Sequence, residues 1–236
     1  MRDKVFAAYA AGETGARRAA REGAAVVVVD AFRASTTTAV LVKKGARVVP
    51  VASIVEAAAH VGADSRIGER GSMKVRGFDW GNSPTEVEAA EMKPGSTVVL
   101  STTNGTRVVE AARGASAILS GAFVNARAVA DELASGACGA RVAVIGCGWE
   151  GRRASEDESA AGAILHHLQE KGIELDERAE RVVDLYLTRP KKSLRRNSAA
   201  RRLVLLGYEE DLDFCLAENT VPVVPRLEGD AFVGRR

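Results

Sequence analysis

The run Ala25–Val29, AVVVV, admits few folds, because it holds five apolar residues with no polar one in alternation. A half-buried strand alternates apolar and polar side chains. An unbroken Val-rich run bounded by polar residues therefore reads as a strand buried on both faces, here Val26–Asp30. Similar runs recur near Val5–Tyr9, Arg47–Val51, Thr97–Ser101, Ala117–Leu119 and Arg141–Ile145. Ala-rich amphipathic stretches lie between them, near Thr36–Lys43, Ser53–Val61, Thr106–Arg113, Val124–Ala134 and Ser155–Lys171, and a short helix follows the first strand. This alternation predicts a three-layer α/β/α fold around a mostly parallel sheet, in a single domain over residues 1–236. From Asp176 onward the chain reads as mainly helical, closing in an extended tail, TVPVVPRLEGD.

An internal echo is visible. VVVVDAFRASTTTAVLVKKGARVVPVASIVEAA and TVVLSTTNGTRVVEAARGASAILSGAFVNARAVA both run strand, hydroxyl-rich loop, helix, Gly-Ala, strand, polar loop, helix. Either the chain has two similar βαβ halves, or any two such units look this alike. In both cases parallel strands place the two hydroxyl-rich loops on one edge of the sheet, where open α/β sheets bind ligands.

Bulk properties exclude several classes. Net charge is +2, from 33 basic and 31 acidic residues, which gives no general attraction to nucleic acid. No run reaches the roughly 18 apolar residues a bilayer span needs. The start, MRDKVFAAYAAG, only faintly resembles a signal peptide, and GARRAAREG follows instead of a cleavage region. Three cysteines with no CxxC pair suit a reducing, cytoplasmic setting and give no sign of a zinc site.

The first loop sets Asp30, Arg33, Ser35, Thr36 and Thr37 at a strand end. Asp30 reads either as a magnesium ligand or as the cap of the next helix. Arg33 suits bidentate phosphate binding, and the hydroxyls read as anion donors or as simple caps. The second loop, STTNGT, offers Thr102, Thr103, Asn104 and Thr106 around Gly105, as an anion-binding nest or an ordinary turn. The long segment RIGERGSMKVRGFDWGNSP, Arg66–Pro84, breaks the alternation and reads as a functional loop carrying Glu69, Arg70, Asp79 and Asn82.

Other motifs carry weaker signals. VAVIGCGWEG contains GxGxxG, but a capping box at Ser155–Glu158 would start the next helix too late for a dinucleotide site. The same loop spells Cys147-x5-Arg153, the spacing of cysteine-dependent phosphatases, or else Cys147 is a small half-buried apolar residue. Glu156, Asp157 and Glu158 either complement a helix dipole or supply a ligand or general base. His166 and His167 sit near the far end of that helix and read as structural or solvated. Arg189–Arg202 holds seven basic residues and no acid, and EEDLD follows it closely. That pairing reads as a solvated helix pair or subunit contact, or as a clamp for an acidic ligand.

The motifs VVVVDAFRASTT, IGERG, GFDWGNSP, TTNGT and the EDE…AG stretch at Glu156–Gly162, in this order, resemble the 2-phosphosulfolactate phosphatases over most of the chain. The resemblance implies a magnesium-dependent phosphatase with its own α/β fold, cleaving 2-phospho-3-sulfolactate in coenzyme M biosynthesis and working as a homodimer. On that reading Asp30, Glu69 and Asp157 are candidate metal ligands, and Asp30, Arg33 and Asp157 are candidate catalytic groups. Ser35, Thr36, Arg70, Asn82, Thr102, Thr103, Asn104 and Thr106 are candidate contacts to a small phosphorylated acid. A cysteine-dependent phosphatase and a non-catalytic anion-binding protein are the alternatives.

Overall fold

The computed structural model describes residues 4–234. In chain order the first half comprises β1 Phe6–Ala11, α1 Gly12–Arg21, β2 Ala25–Val29, α2 Ala34–Lys43, β3 Arg47–Pro50, α3 Ile54–Ala59, β4 Ser65–Arg70, β5 Met73–Lys74, α4 Pro84–Ala89, β6 Thr97–Ser101 and α5 Gly105–Ala111. There follow β7 Ala117–Ser120, a 3-10 turn Phe123–Asn125, α6 Ala126–Ala134, β8 Arg141–Gly146, α7 Ser155–Glu170 and β9 Glu174–Leu175. The chain closes with α8 Glu177–Thr188, α9 Lys191–Leu194, α10 Ser198–Leu205, α11 Glu209–Leu216, β10 Pro225–Glu228 and β11 Ala231–Gly234.

The unbroken Val run has the expected cause. All five residues of β2 are buried, and they alternate between two cores on opposite faces of the sheet. Val26 and Val28 join the core formed with α1, α2 and α5, whereas Ala25, Val27 and Val29 join the one formed with α6, α7 and α8. The sheet is thus covered by helices on both sides, and its strands need no polar face.

The sheet is mostly parallel, in the order β5-β4-β6-β3-β11-β10-β7-β2-β8-β1-β9. Its centre departs from expectation. The closing tail forms the antiparallel hairpin β10–β11, and this hairpin joins β7 on one side and β3 on the other, antiparallel to both. The two parallel groups, β4-β6-β3 and β7-β2-β8-β1-β9, therefore run in opposite directions. Pro225 opens β10 at a strand start, where its missing N–H is tolerated.

The internal echo has a structural counterpart. Ala25 pairs with Ala117 and Val28 with Ser120, while Thr97 pairs with Arg47 and Leu100 with Pro50. Each unit's first strand thus lies against the other unit's second strand in the same register. The expectation of two loops leaving one edge of a common parallel sheet is corrected, since β2 and β6 run oppositely. The loops nevertheless meet, because the start of α5 abuts the start of α2. A Cβ on Gly105 would lie 2.9 Å from Asp30 Oδ2 and 3.2 Å from Ala34 Cβ, so only glycine permits that approach.

RIGER, read as loop, is instead β4, parallel to β6. The following residues fold back over it. A Cβ on Gly68 would lie 2.7 Å from the Phe78 ring, and Asp79 Oδ2 accepts the Arg66 N–H at 2.7 Å. The capping box expected at Ser155–Glu158 does not form, because Ala154 is the N-cap of α7 and Glu158 pairs with Arg153.

Phe232 of β11 is buried in the core at the sheet centre. Phe232→Ala should cost about 3–5 kcal/mol in denaturant unfolding. A loss below about 1 kcal/mol would show that the hairpin is an accessory to the core.

Candidate active site

Four acidic side chains from two elements and one loop line a single cavity: Asp30 after β2, Glu69 on β4, and Glu156 and Asp157 in the first turn of α7. Its walls also include Phe32, Arg33, Ser72, Asn82, Asn104, Gly148, Trp149, Ala199 and Arg202. About 20 Å³ of free space remains, enough for about one water molecule.

The carboxylates are held by the backbone of neighbouring loops. Asp157 accepts the Ala31 N–H at Oδ1 and the Gly148 N–H at Oδ2, both at 2.8 Å, so it ties the loop after β2 to the loop after β8. Glu69 accepts the Ser72 N–H and the Thr103 N–H, both at 2.7 Å, tying the β4–β5 turn to the loop after β6. Asp30 accepts the Gly105 N–H at 3.1 Å. Glu156 differs, since its Oε2 accepts Asn197 Nδ2 at 2.7 Å and Ser155 Oγ at 3.4 Å, and the backbone N–H that acts on it is its own.

Grouping these charges shifts their protonation. Burial pushes the Asp30 carboxyl up to about 7, with the charges of Glu69 and Glu156 adding to the rise and N–H groups of Ala34 and Gly105 opposing it. Asp157 is raised well above the carboxylate range, first by burial and then by Asp30 and Glu156. Glu156 is raised chiefly by burial. Such a group of carboxylates attracts protons or cations. Among the described residues, no three acidic, His or Cys side chains converge into a ready-made metal cage. Magnesium does not require one, since it keeps several waters and binds through one or two carboxylates plus substrate phosphate. The all-oxygen donor set fits that ion, and so does Asn82 Oδ1, which is buried and without a partner.

The remaining candidates divide. Asn82 and Asn104 face the cavity. Arg33 lines it too, but Nη1 donates to Asp211 at 2.7 Å, Nη2 donates to Ser72 O at 2.8 Å, and the guanidinium lies 4.3 Å over the Tyr208 ring. Several hydroxyls serve the backbone outside the cavity lining. Ser35 Oγ donates to Val28 O and accepts the Asp30 N–H, and Thr36 Oγ1 donates to Ala31 O. Thr106 Oγ1 donates to Thr102 O, and Thr102 Oγ1 accepts the Thr106 N–H. Thr103 contributes its N–H to Glu69, while its hydroxyl is buried and unpartnered. Arg70 turns away, donating to Glu69 O, Ser101 O and Ser101 Oγ.

The cysteine motif does not assemble. Cys147 lines a separate, wider cavity with Arg17, Asn104 and Arg107, whereas Arg153 lines another and pairs with Glu158. Burial, then Asp30 and Asp157, push the Cys147 thiol far up, opposite to what a nucleophilic thiolate needs. The glycines of that loop close a turn in which the Trp149 N–H donates to Arg152 O, at 2.9 Å. His166 and His167 both face Glu170.

Sequence reasoning missed the C-terminal contribution. The basic segment does pair with acids, Lys191 with Glu218 and Arg195 with Asp213, but Arg202 leaves that pattern and enters the cavity wall. Its guanidinium lies 3.9 Å over the Trp149 ring, and its Nε donates to Ser72 Oγ at 3.0 Å. Asp211, from the acidic stretch, is the buried partner of Arg33 and also accepts the hydroxyls of Ser83 and Thr85. The only available signal was the abrupt change from basic to acidic residues.

The sequence profile of the family described as 2-phosphosulpholactate phosphatase matches residues 13–230. A probable 2-phosphosulfolactate phosphatase of Carboxydothermus hydrogenoformans is 39% identical, over 91% of this chain and 90% of its own length. Another from Thermotoga petrophila is 35% identical over 88% of this chain and 90% of its own, and one from a Synechococcus strain is 38% identical over 85% and 87%. With a profile match across nearly the whole sequence, the chain belongs to the 2-phosphosulfolactate phosphatase family.

Proposed function

We propose that this chain is a magnesium-dependent phosphatase that hydrolyses the phosphate ester of a small 2-hydroxy acid, 2-phospho-3-sulfolactate above all. One observation carries the reading beyond family membership: four carboxylates, an asparagine with an unpartnered amide oxygen, and the Arg202 guanidinium stacked on Trp149 line the same cavity. One or two carboxylates among Asp30, Glu69 and Asp157, with Asn82 Oδ1, would hold magnesium, which when bound neutralises phosphoryl oxygens and polarises phosphorus.

The other roles belong to the chain's own groups. Arg202 and Asn104 grip the phosphate and stabilise the charge that develops on it during transfer. Arg33, fixed by Asp211, shapes the wall behind Ser72 instead of gripping phosphate. Glu156 accepts the proton of the attacking water. It is the carboxylate not tied to backbone N–H groups of other loops, and its raised proton affinity suits that task. Attack breaks the bond between phosphorus and the substrate's C2 oxygen, and the proton taken up by Glu156 is returned to that departing oxygen, releasing phosphate and the hydroxy acid. The family resemblance also implies a homodimer, which sedimentation equilibrium reads directly.

Phosphate release should depend on magnesium and be abolished by chelator. Glu156→Gln should lower kcat by about 10²–10⁴-fold with KM little changed. Arg202→Ala should raise KM and lower kcat together, and Cys147→Ser should leave turnover intact. Turnover that survives chelator but is lost in Cys147→Ser would overturn the reading.

The acidic cluster also sets a pH dependence. A carboxyl whose pKa is raised by folding, as Asp30 is from 3.8 to about 7, stabilises the fold at low pH. That contribution is lost as pH rises through about 7, and Asp157 and Glu156 act in the same direction. In chelator the melting temperature should fall from pH 5 to pH 8, less so in Asp30→Asn, and magnesium should restore more at pH 8 than at pH 5. Equal magnesium effects at both pH values would contradict the assignment.

A further inference from the structure

We propose that Ser72 is a positioning residue that holds the Arg202 guanidinium at the phosphate-binding wall, an inference that rests on the phosphate role given to Arg202 above. Arg70 pairs with Met73 across the β4–β5 hairpin, so Gly71 and Ser72 form a two-residue turn. Both have positive φ, 59° and 71°. This is the turn in which both central residues are left-handed, and its second position normally favours glycine. A serine there is held in a conformation L residues rarely adopt, and such strain persists where the surrounding structure has a use for the side chain.

The contacts show what that use is. The Ser72 N–H donates to Glu69 Oε2 and its carbonyl accepts Arg33 Nη2, contacts that a glycine would make equally well. Only the hydroxyl distinguishes serine from glycine, and it accepts Arg202 Nε at 3.0 Å. Ser72 is itself buried and lines the cavity. With its Nε engaged by Ser72 and one face stacked on Trp149, Arg202 has its paired Nη groups as the edge left for a bidentate phosphate contact. The long arginine side chain thereby loses most of its rotational freedom before the phosphate arrives.

Calorimetric binding of inorganic phosphate to the full chain in magnesium buffer tests this. Ser72→Gly keeps the turn and both backbone contacts and should raise the phosphate Kd by roughly tenfold, the scale of one lost hydrogen bond to a charged group. Its melting temperature should be unchanged or higher. In an Arg202→Ala background the same substitution should change the Kd no further, and Ser72→Asn, which tolerates the left-handed region and carries an acceptor, should recover part of the loss. An unchanged Kd in Ser72→Gly, with Arg202→Ala weakened, would overturn the positioning role alone. An equal additional loss in the Arg202→Ala background would assign the effect to some route other than Arg202 and overturn it as well. No effect of Arg202→Ala by itself would overturn both this inference and the phosphate role of Arg202.

Discussion

The hydrogen bond from the Gly105 N–H to Asp30 Oδ2 marks the contact on which the rest of the structure depends. It joins the starts of α2 and α5, the two helices that leave the oppositely running halves of the sheet. The approach is possible because Gly105 has no Cβ to collide with Asp30. Two further carboxylates repeat the device. Asp157 ties the loop after β2 to the loop after β8, and Glu69 ties the β4–β5 turn to the loop after β6. The carboxylates proposed as metal ligands are therefore also the pins that hold four loops around one cavity.

Holding acidic groups in this way carries an electrostatic cost. Backbone N–H donors lower the carboxyl pKa values, yet burial and mutual repulsion outweigh them at Asp30 and Asp157. The cluster is consequently unsettled without positive charge, and the proposed magnesium, together with Arg202, would supply what it lacks. The neighbouring Arg33–Asp211 pair is balanced differently. Both side chains are almost fully buried, and hydroxyls of Ser83 and Thr85 share the Asp211 carboxylate, so removing either partner would strand a buried charge. That pair fastens the C-terminal helices to the α2 loop and so brings Arg202 within reach of the cavity.

Much of this was legible in the sequence, and the rest was hidden for physical reasons. Val26–Val29 announced a strand covered on both faces, and Asp30, Glu69, Asn82, Asn104 and Asp157 do line one cavity. The hydroxyls of Ser35, Thr36, Thr102 and Thr106 carry the same composition as a phosphate loop, but composition does not distinguish a ligand donor from a bond back to the chain's own backbone. The β10–β11 hairpin escaped notice because its pairing partners, β3 and β7, lie more than a hundred residues away. β4 was masked by Arg66 and Arg70, which make strand residues look like a solvated loop. Arg202 and Asp211 acquire meaning only once α10 and α11 dock against Trp149, Ser72 and Arg33.

The central claim is that the acidic cavity binds a divalent cation. Manganese, a spectroscopic substitute for magnesium, tests it by electron paramagnetic resonance, through the loss of free-ion signal on titration into the full chain at neutral pH. Saturable binding that magnesium displaces, and that Asp30→Asn weakens severely, is the predicted result. Binding undiminished in Asp30→Asn, or no saturable binding to the unmodified chain, would contradict the account.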